Sequence, residues 1–504
     1  MKTAGFDNEK YLAEQAREIL ARAERFGRKL YLEFGGKLLF DYHAARVLPG
    51  YDPNVKIKLL QRLKERIDII LCIYAGDIER RKLRGDFGIT YDADALKLID
   101  DLKDWGLEVG AVVITRFDNQ PSVRTFLNRL ERRGVRVYTH RPLPGYPAAV
   151  DEIVSASGYG ANHYIETVKP VVVVTGPGPG SGKLATCLSQ LYHEHQRGIP
   201  AGYAKFETFP VWNLPLSHPL NAAYEAATVD IGDFNQIDPF HLKAYGKSAV
   251  NYNRDVESFS VVERILRKIT GSDSIYRSPT DMGVNRAGLA ITDDAVVREA
   301  ALQEIIRRYF RVRCEYVMGL IEQAVVDRMA LLLEKLNLRP EARKTVAPAR
   351  TAARDAEERS LGSGGICCGA AIELPGGAIV TGKNSPLLHA AASMVLNAIK
   401  QSAGLPDKLH LLAPNIIASI NTLKGTILRQ KKMSLNLDET LIALSISAAS
   451  SPAAQMAMEQ IPNLRGCEVH LTHIPTPGDE AGLKKLGVNA TSDPNFPSKA
   501  LFID

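Results

Sequence analysis

The stretch PVVVVTGPGPGSGKLATCLSQ, running from Pro170 to Gln190, decides how the rest of the chain is read. Its four consecutive valines, Val171 to Val174, are bounded by Pro170 and a glycine cluster. A short β-branched run of this kind is expected to form a strand buried on both faces. Gly176 to Lys183 then alternates glycine and proline before closing in Ser-Gly-Lys. From Leu184 to Arg197 the residues LATCLSQLYHEHQR place Leu184, Leu188 and Leu191 on one helical face. Strand, glycine turn and helix together form the setting of a phosphate-binding loop. Backbone N–H groups and the positive helix end face an anion, and a lysine adds a charge.

In that reading Gly178, Gly180 and Gly182 let the backbone approach the phosphates, Ser181 donates a hydrogen bond and Lys183 neutralises charge. The full pattern G-x-x-x-x-G-K-S/T is not met. Pro177 stands at the first glycine position, and Leu184 replaces the hydroxyl that ligates Mg²⁺. The loop resembles the adenylate-kinase type, in which Pro-Gly-Ser-Gly-Lys follow as they do at Pro179 to Lys183. That type carries threonine two residues after the lysine, whereas Thr186 lies three after. A glycine- and proline-rich turn that simply joins a strand to a helix is the alternative.

The segments KLYLEFGGKLLFDYHAARVLPGY (Lys29 to Tyr51), TGPGPGSGKLATCLSQLYHE (Thr175 to Glu194), YAKFETFPVWNLPLSHPLNAAYEAAT (Tyr203 to Thr228) and SPTDMGVN (Ser278 to Asn285) resemble a bacterial family catalogued as a domain of unknown function. The resemblance runs from the N-terminus to the last strands. It implies a cytoplasmic, multidomain α/β body and supplies no established activity. An "ATP-dependent zinc protease" label attached to some relatives would need H-E-x-x-H on a helix, with two ligands at i and i+4. Here His193 and His195 are two apart, about 200° round a helix, and cannot grip one ion.

Composition agrees with a soluble multidomain protein. A chain of 504 residues suits two to four domains, and 45% apolar with 24% charged residues is ordinary. No run has the length of a membrane span, and MKTAGFDNEKYLAEQAREIL reads as a charged helix. Six cysteines form no disulfide framework, which suits a reducing cytoplasm. A net charge of +6 over this length gives no reason to expect nucleic acid.

In chain order, Lys29 to Phe34 and Lys37 to Phe40 read as a hairpin across Gly35-Gly36. Strands are expected at 68–75, 109–117, 135–140 and 201–208, alternating with helices at 54–66, 92–104 and 122–133. This alternation predicts a mostly parallel sheet with helices on both faces. Lys205 and Glu207 share a face near a strand end, where Glu207 could approach a phosphate-bound metal or form a salt bridge. Asp230 and Asp233 in VDIGD are carboxylate candidates without a preceding apolar strand. Thr280, Asp281, Asn285 and Arg286 in SPTDMGVNRAG could hold a substrate's polar groups or cap the next helix. Residues 293–336 read as helices broken near Gly319, for packing between domains or subunits. Residues 339–365, rich in Ala, Arg and Ser, read as a linker.

From Cys367 onward, CCGAAIELPGGAIVTGKNSPLLHAAASMVLNAIK resembles the strand–turn–strand–helix opening of a cytidine deaminase. His389 stands at the first zinc-ligand position and Ala391 at the glutamate position. After an expected strand at His410 to Ala413, Asn415 and Ala418 replace the two cysteines that would follow Pro414. One imidazole holds no zinc, so neither zinc nor deamination is expected. Any strand–strand–helix unit with a glycine-rich hairpin would align similarly. Cys467, His470 and His473 lie on a strand too far apart or on opposite faces to share a metal. Cys187 behind the loop is either acidified by the helix end or buried in packing.

The resulting expectation is an α/β chain in four parts. Residues 1–240 form a Rossmann/P-loop-like phosphate-binding domain and 241–345 a mainly helical one. Residues 346–365 are a linker, and 366–504 an α/β deaminase-like domain without catalytic residues. The ligand expected is a small phosphorylated molecule, ATP or another nucleotide with Mg²⁺. If the protein is an enzyme, Lys183 and Asp230 carry phosphoryl transfer or nucleotide hydrolysis, with Asp233 or Glu207 as further metal or base candidates. The rival is a non-catalytic ligand-sensing or assembly protein. A homo-oligomer is expected in either case, with no membrane partner.

Overall fold

A computed structural model describes residues 4–27, 29–84, 88–272, 276–359, 361–362, 365–430 and 432–498. The chain divides into two compact units, Lys2–Ala301 and Leu302–Asp504.

The first unit is built on seven strands: β1 (Leu30–Phe34), β2 (Ile67–Tyr74), β3 (Val109–Thr115), β4 (Val137–Thr139), β5 (Val171–Thr175), β6 (Gly202–Phe206) and β7 (Gly283–Val284). Their order is β7-β6-β1-β5-β2-β3-β4, and every pairing is parallel. IDIILCIY and VVVVT are apolar on both faces because both faces are covered. Among the helices of this unit are α1 (Asn8–Arg25), α2 (Tyr91–Asp104), α3 (Pro121–Glu131), α4 (Lys183–Gln196) and α5 (Asn253–Thr270). On one face Tyr31, Cys72, Val172 and Val174 pack with Cys187, Leu188 and Leu191 of α4 and Phe259 and Ile265 of α5. On the other, Leu71, Ile73, Val112 and Ile114 pack with Ala95 of α2 and Val123 and Phe126 of α3.

The expected hairpin at Lys29 to Phe40 does not form. β1 is an interior strand, hydrogen-bonded to β5 on one side and β6 on the other, so no edge remains for a returning strand. Lys37 to Phe40 is irregular and tucks Leu38 and Leu39 into the interior.

Helix α6 (Asp294–Val317) crosses the division between the units, and α7 (Gln323–Lys335) follows. The stretch expected as linker holds a helix instead, α8 (Val346–Glu358), with Val346, Ala349 and Ala356 buried. Pro348 sits in its first turn, where the missing N–H has no helical acceptor to lose.

The second unit carries a four-stranded sheet of β8 (Gly369–Glu373), β9 (Ile379–Lys383), β10 (Glu468–Leu471) and β11 (Asn489–Ser492), ordered β9-β8-β10-β11. β8 is antiparallel to both neighbours, while β10 and β11 are parallel. α8 and α9 (Ala390–Ser402) pack against this sheet. Further on come α10 (Pro414–Thr422), α11 (Leu437–Ala448) and α12 (Pro477–Leu486). No strand forms at His410 to Ala413: Leu411 and Leu412 plug the core there, and β10 takes the place beside β8.

Candidate functional site

The glycine turn stands at the carboxyl end of β5, the central strand of the parallel sheet, and opens into α4. Open α/β sheets present their ligand crevice at this edge. Gly182 is the helix N-cap in the left-handed region (φ 89°) and brings no side-chain cap. A Cβ there would also strike Thr115. Among the described residues, no N–H group of Gly178, Gly180, Gly182 or Lys183 donates to an acceptor within the chain. Their carbonyls are occupied: Thr115 Oγ1 donates to Ser181 O (2.9 Å), Arg116 to Gly180 O and Lys183 Nζ to Gly178 O (3.2 Å). Lys183 Nζ also lies 3.4 Å from Ser181 Oγ, and Ser181 is buried beneath the turn. Leu184 supplies no hydroxyl, and the Thr186 side chain is buried against Cys72. Burial pushes the Cys187 thiol well up, so it stays a packed thiol.

Two strands away along the same edge lies a charged cluster. Lys205, whose Cα partner on β1 is Glu33, pairs with Glu207 (3.0 Å) and Asp255, and contacts the Tyr252 hydroxyl. Glu33 accepts from Tyr203 OH at 2.8 Å. Burial lowers the Lys205 ammonium's affinity for its proton, but Asp255, Glu207 and Glu33 more than offset this and raise it. Burial, with Asp255 close by, pushes the Glu207 carboxyl up to about 8 despite Lys205. Gly283 leaves the space that Glu207 fills, since a Cβ there would stand 2.9 Å from its Oε2. Alternation along β6 correctly put Lys205 and Glu207 on one face. Asp255 was missed, and its only signal was a carboxylate in the first turn of an amphipathic helix.

The other candidates are dispersed. Asp230 is exposed on a single 3-10 turn, and the buried carboxylate of that stretch is Asp233, paired with Arg254 at 2.6 Å. Thr280 donates to Asp238 (2.6 Å), while Asp281 accepts from Tyr245 OH (2.7 Å) and from the Arg277 N–H. Asn285 donates to Pro210 O (2.8 Å), and Arg286 pairs with Glu18. The SPTDMGVNRAG segment thus spends these side chains on Asp238, Tyr245, the Pro210 carbonyl and Glu18 of α1.

His193 and His195 reach separate carbonyls, those of Asn162 (2.8 Å) and Ala201 (3.0 Å). In the second unit His389, the N-cap of α9, meets Asp479 (2.7 Å), a partner the sequence did not suggest. His470 contacts Thr491 (2.9 Å). Among the described residues no three His, Cys, Asp or Glu side chains could hold a metal ion. The ligand spacing leads us to expect no stoichiometric zinc in protein purified without added metal. Elemental analysis at one zinc per chain would overturn this. No helix among the described residues is long and apolar enough to cross a membrane.

Comparison with known proteins covers nearly the whole chain. Residues 4–337 match the family model "Domain of unknown function DUF1846, N-terminal", and residues 341–502 match its C-terminal counterpart. "UPF0371 protein" of Clostridium botulinum strain Langeland is 57% identical over 498 residues, covering 99% of both chains. The proteins of the same name from strains Okra and Alaska E43 match to the same extent. The chain therefore belongs to the bacterial DUF1846 (UPF0371) family.

Proposed function

We propose that this protein binds a nucleotide or another phosphorylated small molecule at Gly178 to Lys183. The observation that carries the reading is the row of four N–H groups, of Gly178, Gly180, Gly182 and Lys183, without an internal acceptor among the described residues, set beside the Lys183 ammonium at the start of a helix. Such a row attracts an anion, and the helix end adds to it. Leu184 and the buried Thr186 favour binding without metal-assisted phosphoryl transfer. They support a ligand-sensing role over an ATP- and Mg²⁺-dependent one. In the second unit, His389 paired to Asp479 with Ala391 beside it fits a deaminase-like domain without its chemistry.

Thermal denaturation with ATP, sugar phosphates and inorganic phosphate, each with and without Mg²⁺, tests this. A ligand at a hundredfold its Kd is expected to stabilise by about 2.7 kcal/mol. Lys183→Ala should abolish that shift, and Mg²⁺ should leave it unchanged. A shift that survives Lys183→Ala places the site elsewhere, and one that requires Mg²⁺ restores the phosphoryl-transfer reading.

A further inference from the structure

Arg116, the residue after β3, is held in an unusual way. Its backbone lies in the left-handed region (φ 53°), which residues other than glycine rarely adopt. Such a conformation persists where the surroundings fix it, and it clusters at ligand sites. The guanidinium carbon stands 3.4 Å from the centre of the Tyr74 ring at the end of β2, and the guanidinium donates to Gly180 O. The ring in turn lies over Gly76, where a Cβ would come within 2.5 Å of it. Because β2 lies between β3 and β5 in the sheet, Arg116 reaches the glycine turn across the Tyr74 ring.

Two cations therefore touch this one turn, Arg116 at Gly180 O and Lys183 at Gly178 O. Among the described residues neither meets a carboxylate within ion-pair distance. Other cations of this unit do: Arg80 is paired with Asp77 (2.9 Å), and Lys205 with Glu207 and Asp255. A carbonyl brings no net charge to set against an ammonium or a guanidinium. With about half a charge from the start of α4, the turn carries roughly +2.5. A phosphate monoester at pH 7 brings about −1.5 to −2, leaving a surplus that a second phosphoryl group would balance. Stacking occupies the flat face of the Arg116 guanidinium and leaves its in-plane N–H groups, which suit two phosphate oxygens at once. Arg116 is exposed, and Gly180 O takes one of its five donors.

We propose that the anion bound at this turn is a diphosphate, with one phosphate against Lys183 and the free N–H row and the other against Arg116. The proposal rests on the phosphate-binding reading of Gly178 to Lys183. It narrows the ligand to pyrophosphate, a nucleoside di- or triphosphate or another diphosphate ester, and it excludes monophosphates.

Calorimetric titration of the full chain with phosphate, pyrophosphate, AMP and ADP, without divalent cations, tests the proposal. Pyrophosphate and ADP are expected to bind at least tenfold more tightly than phosphate and AMP. Arg116→Gln should remove that preference, and Arg116→Lys, which keeps the charge without the planar fork, should keep part of it. Equal affinities within each pair for the wild-type chain would overturn the proposal and leave a phosphate site in place. So would a preference that survives Arg116→Gln. A guanidinium that only braces the turn would give an Arg116→Gln variant that loses mono- and diphosphates alike, which also overturns the proposal. If none of the four binds, the phosphate-binding reading falls and the diphosphate with it.

Discussion

Lys205→Met is expected to destabilise the N-terminal unit by about 3 to 5 kcal/mol, the usual cost of removing one partner from a buried ion pair. The lysine is the cation that Glu207 and Asp255 share, and Glu33 stands beside it on the next strand. Methionine fills much the same volume, so the loss reads charge more than packing. Both tryptophans, Trp105 and Trp212, lie within Lys2–Ala301. Urea denaturation followed by tryptophan fluorescence therefore reports on the affected unit. Adding Glu207→Gln to Lys205→Met should recover about 1 kcal/mol or more by removing one stranded carboxyl. A change below about 1 kcal/mol in the single variant would mean that water reaches the cluster and screens it.

Acid is expected to weaken both units between about pH 6.5 and pH 4. Burial pushes His140 in the first unit and His473 in the second down to about 4. Around His473 stand Asp479, whose charge opposes the shift, and His389 and His470, which favour it. The unfolded chain takes up protons near pH 6.5 while the folded chain does not, so stability falls with pH across this window and rises again on return. Each histidine accounts for about 3 kcal/mol by pH 4. Below that, Asp493 continues the decline. Burial alone would raise its carboxyl, but His470 and Arg350 hold it at about 2. His140→Asn should flatten the tryptophan-detected stability profile above pH 4. An unaltered slope would show that His140 is protonated in the folded chain.

Strands with one demand on every residue were legible from sequence, and those defined by distant partners were not. DIILCIYA and VVVV announce a doubly covered strand, because burial on both faces leaves no polar alternation to misread. KLYLEF carries the same signal, yet the glycines after it suggested a local return. Only the pairing of β1 with strands about 140 and 170 residues away excludes that. At the site, the glycine turn could be read because its chemistry is local. The Lys205–Asp255 pair could not, since fifty residues separate the partners and no spacing rule joins them. The Ala-, Arg- and Ser-rich composition of residues 339–365 misled for the opposite reason: read locally it suggests a linker, yet it holds a helix whose Pro348 stands in the one turn that tolerates it.

The contacts that Thr115, Arg116 and Lys183 make beneath the glycine turn have a thermodynamic consequence. They tie down three successive regions of the loop before any ligand arrives. Ordering a backbone residue costs on the order of 1–2 kcal/mol, and here that entropy is already lost on folding. An anion would meet donors that are preorganised, so its binding should be close to rigid-body and its association should not wait for the loop to close.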